Sequence, residues 1–168
     1  FGMYTYPWEA VSHIGKCITS IGKHLPEEEY QKLGKNIWIH KSARMARSVM
    51  MTGPAIICAG AEVRHGAFRR GNTFNGAQVP HFNYVGDSIL GYKAHMGAGA
   101  VTSNVKSDKT LVKIHAADGD IETGLKKVGA FLGDGVEVGC QTVLNPGTVV
   151  GRNTNIYPLS SVRGCVAA

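Results

Sequence analysis

Long apolar stretches are missing from this 168-residue chain. Its apolar runs stop after a few positions, so no membrane-spanning helix is expected. No charged-then-apolar leader is visible, so no signal peptide is expected either. Charge is sparse at 18%, while hydrophobic residues make up 43%. That balance excludes a disordered, self-repelling chain and fits one domain with a real core. The four cysteines, Cys17, Cys58, Cys140 and Cys165, show no CxxC spacing. A reduced, cytoplasmic protein is the expectation. The basic residues form no long run and do not alternate with aromatics, so no nucleic-acid partner is expected. The net charge of +6 fits a small anionic ligand, such as a phosphosugar or a phosphate-bearing coenzyme. What the chain does have is glycine, 22 of them, and a beat.

The beat is six residues long. Apolar residues fall at Ile39, Met45, Met51, Ile57 and Val63, and Arg69 breaks the rule. The beat returns with Tyr84, Leu90 and Met96. It is cleanest over Leu132, Val138, Leu144, Val150, Ile156 and Val162. Four residues after each large residue stands a small or β-branched one, as at Ala55, Ala61, Ala94, Ala100, Thr142 and Thr148. A period of six suits neither a helix nor one two-faced strand. It suits a short strand and a tight corner, repeated, with three such units closing one triangular coil. The large residue then fills the interior and the small one sits inward near a corner. This is a parallel β-helix, in which each coil covers the next.

The later runs stand three residues out of phase with the first. Two causes remain open: a bulge-like adjustment at "VPHFN", or residues missing between Asn75 and Gly76. Outside the solenoid, residues 1–36 read as an N-terminal helical cap and 37–168 as the β-helix domain. Trp8, Val11, Ile14, Ile18, Ile21 and Leu25 follow helical spacing over 7–25. "PEEEYQKL" reads as a second short helix, and the two helices are expected to cover the open end of the first coil. Residues 103–127 leave the beat. Within them "TLVKIHAADGDIETG" alternates about an Asp-Gly turn, as a hairpin thrown out from the solenoid would.

"LGDGVEVGCQTVLNPGTVVGRNTNIYPL" resembles the hexapeptide-repeat acyltransferases, and the resemblance implies a left-handed coil. "VPHFNYVGDSILGYKAHMGAGAVTSN" resembles the acetyltransferase domain of the bifunctional enzyme that makes UDP-N-acetylglucosamine. Over more of the chain, "YTYPWEA", "SNVKSDKTLV", "ETGLKK" and "NPGTVVGRNTNIYPLSSVRG" resemble stand-alone UDP-N-acetylglucosamine pyrophosphorylase-related proteins. The implied activity is acetyl or other acyl transfer from acyl-CoA to an amino sugar or phosphorylated sugar, in a homotrimer with sites between adjacent solenoids. The resemblance makes His81 the general base. It makes Arg70, Tyr84 and His95 substrate contacts, and Ala98, Asn104, Cys140 and Pro158 coenzyme contacts. His95 stands where the family has an asparagine. The family's phosphate-binding lysine lies in a coil for which the step from "GNTFN" to "GAQVP" leaves no room.

Acyl transfer to an amine needs a proton acceptor near neutral pKa, which imidazole supplies. It also needs a donor facing the developing oxyanion. No metal is expected. His65, His81 and His95 invite a zinc site of the kind found in solenoidal carbonic anhydrases, but the paired histidines five residues apart that such sites use are absent. No glycine-rich loop before a basic residue is present, so nucleotidyl transfer is not expected of this chain alone. The rival from another class is a non-catalytic trimer, a sugar-nucleotide-related binding or scaffold module that has lost turnover.

Overall fold

A computed structural model describes residues 9–73 and 75–167, without the side chains of 11, 12 and 67–73. It is a mainly β, parallel solenoid of about seven turns, consistent with a left-handed β-helix. Three faces repeat up the column. Ile37–His40, Ala130–Leu132, Thr148–Val150 and Cys165–Val166 belong to the first. His95–Met96, Glu137–Val138 and Asn155–Ile156 belong to the second. Val101–Thr102, Val143–Leu144 and Ser161–Val162 belong to the third. Every pairing between successive coils is parallel, for example Glu137 to both His95 and Asn155.

The interior follows from the hexads. Ile57, Val63, Leu90, Met96, Val138 and Leu144 are buried along one axis. The small companions Ala55, Ala61, Ala94, Ala100, Thr142 and Thr148 are buried beside them. Among the described residues the buried hydroxyls find partners, as burial demands, with Thr154 Oγ1 the exception. Ser88 Oγ donates to Gly86 O at 2.7 Å and stands 2.9 Å from the Thr102 hydroxyl, with which it pairs. Thr148 Oγ1 donates to Asn145 O at 2.7 Å.

The phase slip resolves into short steps. Met51 pairs with Phe68 and Phe68 with Val85, while Ile57 pairs with Thr73 and Thr73 with Leu90. Three steps therefore hold five residues instead of six: Val63 to Phe68, Phe68 to Thr73 and Val85 to Leu90. These account for all three residues of the slip. Asn75 and Gly76 form a corner stacked between neighbouring coils, with Gly76 N–H donating to Ala59 O at 3.0 Å and Lys93 N–H to Asn75 O at 3.1 Å. The interior position after Val79 is Val85, fully buried, and not Tyr84. Phe68, not Arg69, takes the register position of Met51 and Val85.

The attachments differ from the expected cap. One helix, Glu9–Gly22, lies along the outer side of the first face, with Ile14 and Ile18 against Trp38 and Ile56. Gly22 is required there, because a Cβ would sit 2.3 Å from the Trp38 ring. "PEEEYQKL" does not form a second helix. After a turn, Tyr30–Gly34 pairs antiparallel with Ile37–His40 and closes the edge of the first coil. Tyr30 packs edge-on to His40, which favours a strand over the helix that the three glutamates suggested. The excursion does form a hairpin, Lys113–Ala116 with Gly119–Glu122, turning at Ala117 and Asp118. Its Val112 and Ile114, with Val128, cover the upper part of the same outer stripe at Ile89 and Phe131. A helix below and a hairpin above thus share one apolar stripe.

Candidate functional site at the second corner

The corner between the second and third faces carries a column of left-handed residues: Phe82 (φ 52), Gly99 (φ 72), Gln141 (φ 59) and Leu159 (φ 60). The residues immediately before them are His81, Ala98, Cys140 and Pro158. Gly99 N–H donates to His81 O at 2.8 Å, Gln141 N–H to Ala98 O at 2.8 Å, and Leu159 N–H to Cys140 O at 2.9 Å. Four of the eight residues singled out in the sequence thus stack on one corner, one per coil. Two glycines let them do so. A Cβ on Gly97 would lie 2.6 Å from Cys140 N, and one on Gly139 would lie 2.3 Å from Pro158 N.

Beside this corner, on the second face, runs a shallow groove of about 230 Å³ lined by His95, Glu137, Cys140 and Pro158. His95 Nδ1 and Glu137 Oε2 are 2.7 Å apart, so the carboxylate orients the ring. Tyr84 stands on the third face, just past the corner. It is half-buried, and its hydroxyl folds back over Gly86, where a Cβ would be 2.5 Å away. His95 and Tyr84 therefore flank the corner that bears His81.

Asn104 is not at this corner within the chain. It is buried at the far end of the third face, where its Nδ2 donates to Asp87 Oδ2 at 2.6 Å. Its carbonyl accepts from Val128 N–H at 3.0 Å, tying the root of the excursion together. The Arg70 side chain lies outside the described residues.

Several neighbours of His81 went unassigned in the sequence. Asn83 is buried, and its Oδ1 accepts from His81 N–H at 2.9 Å. Its Nδ2 donates to Gly97 O at 2.7 Å and to Ala100 O at 3.2 Å, so one amide pins two coils at this corner. The His65 ring stacks on that of His81, with centroids 6.4 Å apart, and on Phe82 at 6.2 Å. Ser48 Oγ is hydrogen-bonded to His65 Nδ1. Phe82 is the extra residue at a register shift opposite His65 and Gly66, and it is 78% exposed. The lone asparagine inside "HFNY" was a usable signal; the His65 contact was not, because it depends on a short coil. Among the described residues no group of three or more histidine, cysteine or acidic side chains is arranged to hold a metal ion. Among them, too, no helix is long and apolar enough to cross a membrane.

No family model matches the chain. Curated proteins do. The chain is 36% identical over 83 residues to a bifunctional sugar-1-phosphate nucleotidylyltransferase/acetyltransferase of Sulfurisphaera tokodaii, covering 49% of this chain and 21% of that protein. It is 37% identical over 76 residues to the bifunctional protein GlmU of Methanocaldococcus jannaschii, covering 45% and 18%. Its homologues are hexapeptide-repeat acyltransferases related to the GlmU acetyltransferase domain. The chain spans about a fifth of the length of these relatives. A solved perosamine N-acetyltransferase from Caulobacter crescentus, in complex with CoA and GDP-perosamine, is similar at TM-score 0.42 and 19% identity. That match covers 79% of this chain and 50% of the other.

Proposed function

We propose that this chain is an acyl-CoA-dependent acetyltransferase acting on an amino sugar or sugar phosphate, with His81 as general base. The stacking of His81, Ala98, Cys140 and Pro158 on one corner carries the reading. That column offers an imidazole at one end and a narrow, glycine-floored groove at the other, the shape a pantetheine arm would need. Relatives named as acetyltransferases support the same chemistry.

Transfer is direct. The acceptor amine attacks the thioester carbonyl carbon, so a C–N bond forms and the C–S bond breaks. The amine proton passes to the His81 imidazole, and the imidazolium returns it to the departing coenzyme thiolate. No covalent enzyme intermediate is required when both substrates lie together. Tyr84 and His95, flanking the corner, contact the sugar, and Arg70 its phosphate. In a homotrimer the His81 stretch of one subunit faces the coenzyme groove of its neighbour, and Asn104, bonded to Asp87, holds the backbone beside it. The assembly is cytoplasmic. Incubation with acetyl-CoA and glucosamine 1-phosphate, followed by loss of thioester absorbance, tests this. His81→Ala should lower the rate by about 10²–10⁴-fold, the range for a positioned base. Equal rates for wild type and variant would remove His81 from the mechanism.

One observation favours a second reading, a non-catalytic binding or scaffold module. Among the described residues the His81 ring stacks on His65 without a hydrogen bond to orient it, whereas His95 has a carboxylate. Wild type that binds acetyl-CoA yet consumes none with any amino sugar would establish that reading.

A further inference from the structure

The excursion does more than cover the first face. Its root and its hairpin close a second cavity, of about 250 Å³, against the corner between the third and first faces. The strand Lys113–Ala116 lies directly on that corner. A Cβ on Gly147 would be 2.7 Å from Lys113 O, and one on Gly164 would be 2.8 Å from His115 O. Both glycines have positive φ, 80° and 77°. Two side-chainless, left-handed positions thus bring the hairpin backbone into contact with the last two coils.

Three cations from three separate parts of the chain line the cavity: Lys106 from the root of the excursion, Lys113 from the hairpin, and Arg163 from the last coil. One carboxylate, Asp108, lines it with them. That carboxylate is occupied by Lys106 at 3.3 Å and by the backbone N–H and hydroxyl of Thr110 at 2.9 and 2.8 Å. The acids on the far hairpin strand are engaged too, Glu122 by Lys113 at 2.8 Å and Asp120 by His115 at 2.6 Å. Arg163 makes no ion pair or hydrogen bond among the described residues, and it is exposed. Asn145 and the hydroxyls of Ser103 and Ser107 complete a wall of donors.

We infer that this cavity binds a phosphate monoester, with Arg163 as the principal contact and Lys106 and Lys113 as flanking charges. An arginine fork without a carboxylate partner matches two phosphate oxygens at once. Lys106 and Lys113, each held by a carboxylate, frame the site and leave Arg163 as its uncompensated charge. The cavity lies across the third face from the His81 corner, so the site is separate from the one that would hold the reacting atoms. The phosphate has two chemical sources, the ribose phosphate of a coenzyme or the phosphate of an acceptor sugar.

The test is calorimetric titration of the whole chain with three probes: inorganic phosphate, adenosine 3′,5′-bisphosphate and glucosamine 1-phosphate. Wild type should bind at least one, and Arg163→Gln should weaken that binding about tenfold or more, as loss of a charged bidentate contact does. Lys106→Gln should weaken it less, and Lys16→Gln, on the outer helix, should leave it unchanged. Preference for the bisphosphate assigns the site to the coenzyme, and preference for the sugar phosphate assigns it to the acceptor. Unchanged binding by a folded Arg163→Gln protein overturns the inference, as does wild type that binds none of the three at millimolar concentration. The readout needs no turnover. A chain with no acetyltransferase activity but Arg163-dependent phosphate binding would refute the proposed reaction and leave this site standing.

Discussion

Replacing Gly139 by alanine tests how closely the coils stack beside the groove. The new Cβ would lie 2.3 Å from Pro158 N and 2.7 Å from Pro158 Cα and Cδ. Carbon atoms in ordinary contact stand about 3.5–4.0 Å apart, so the overlap is about 1 Å. The clash is with backbone and a proline ring, neither of which can rotate away. Relief requires the two coils to separate, stretching Gly139 N–H to Ile156 O at 2.8 Å and Leu159 N–H to Cys140 O at 2.9 Å. Overpacking of this kind costs about 1–3 kcal/mol. For a domain of this size, that lowers the thermal midpoint by roughly 2–12 °C. Gly34→Ala is the control. Its Cβ would meet only Ile37 Cδ1, at 3.9 Å, and its φ is not positive, so its stability should change by less than about 0.5 kcal/mol. Urea melts of both variants, compared through midpoint and slope, give the difference. A Gly139→Ala protein as stable as Gly34→Ala would mean that the corner is not stacked as described.

Asn83→Ala removes the amide that pins the His81 corner and leaves two carbonyls and one N–H without that partner. It should destabilise by about 2 kcal/mol or more in urea melts, and a change below about 0.5 kcal/mol would remove Asn83 as a staple. Alkylation should be faster at exposed Cys17 and Cys140 than at Cys58, whose burial pushes its thiol pKa up against the smaller opposing effect of the Tyr30 hydrogen bond. If the groove holds pantetheine, acetyl-CoA should protect Cys140 from iodoacetamide while Cys17 stays reactive; equal labelling with and without coenzyme counts against that placement. The hairpin should loosen in acid. Hydrogen bonds from Thr110 hold Asp108 below the ordinary 3.8, and the hydrogen bond to His115 does the same for Asp120. A depressed carboxylate stabilises the fold above its unfolded pKa, and that contribution is lost as pH falls through the lower folded value. Cross-strand NOEs between Ile114 and Ile121 should therefore persist at neutral pH and weaken below about pH 4. NOEs that fade instead as the pH rises from 5 to 8 would contradict the sign.

The solenoid was legible because its interior is a single column with one requirement, and the hexads from Leu132 to Val162 state it without interruption. The corner column was legible through the family resemblance, which named Ala98, Cys140 and Pro158; repeat length alone stacks Pro158 on Cys140, while the excursion separates Cys140 from Ala98 in sequence. Legibility failed where the step length changes. Counting in sixes placed Tyr84 on the beat, but its neighbour Val85 is the residue inside. A tyrosine in a dry interior would need a partner for its hydroxyl, while valine needs none, so side-chain chemistry chose correctly where the count did not. The helical reading of "PEEEYQKL" failed for a different reason. Three acids favour a helix start, yet the unpaired edge of the first coil offers a full ladder of backbone partners, and pairing there outweighs local preference.

The short steps also explain what no spacing rule could have shown. A regular coil would set a residue eighteen positions after its neighbour below. His65 and His81 stand in register sixteen apart. Their stacking exists only because Val63 to Phe68 and Phe68 to Thr73 each give up a residue, and the left-handed turn at Phe82 takes up the mismatch at the corner. If the stacked ring matters to the chemistry, then removing it should cost activity while the corner stays folded. His65→Ala deletes the ring that lies on His81 and leaves the pairing of residue 65 with His81 in place. On the acetyltransferase reading, with His65 fixing the His81 ring in place, activity should fall while the melting midpoint holds. A His65→Ala protein with full activity would show that the two histidines are neighbours by accident of register, and that His81 works alone.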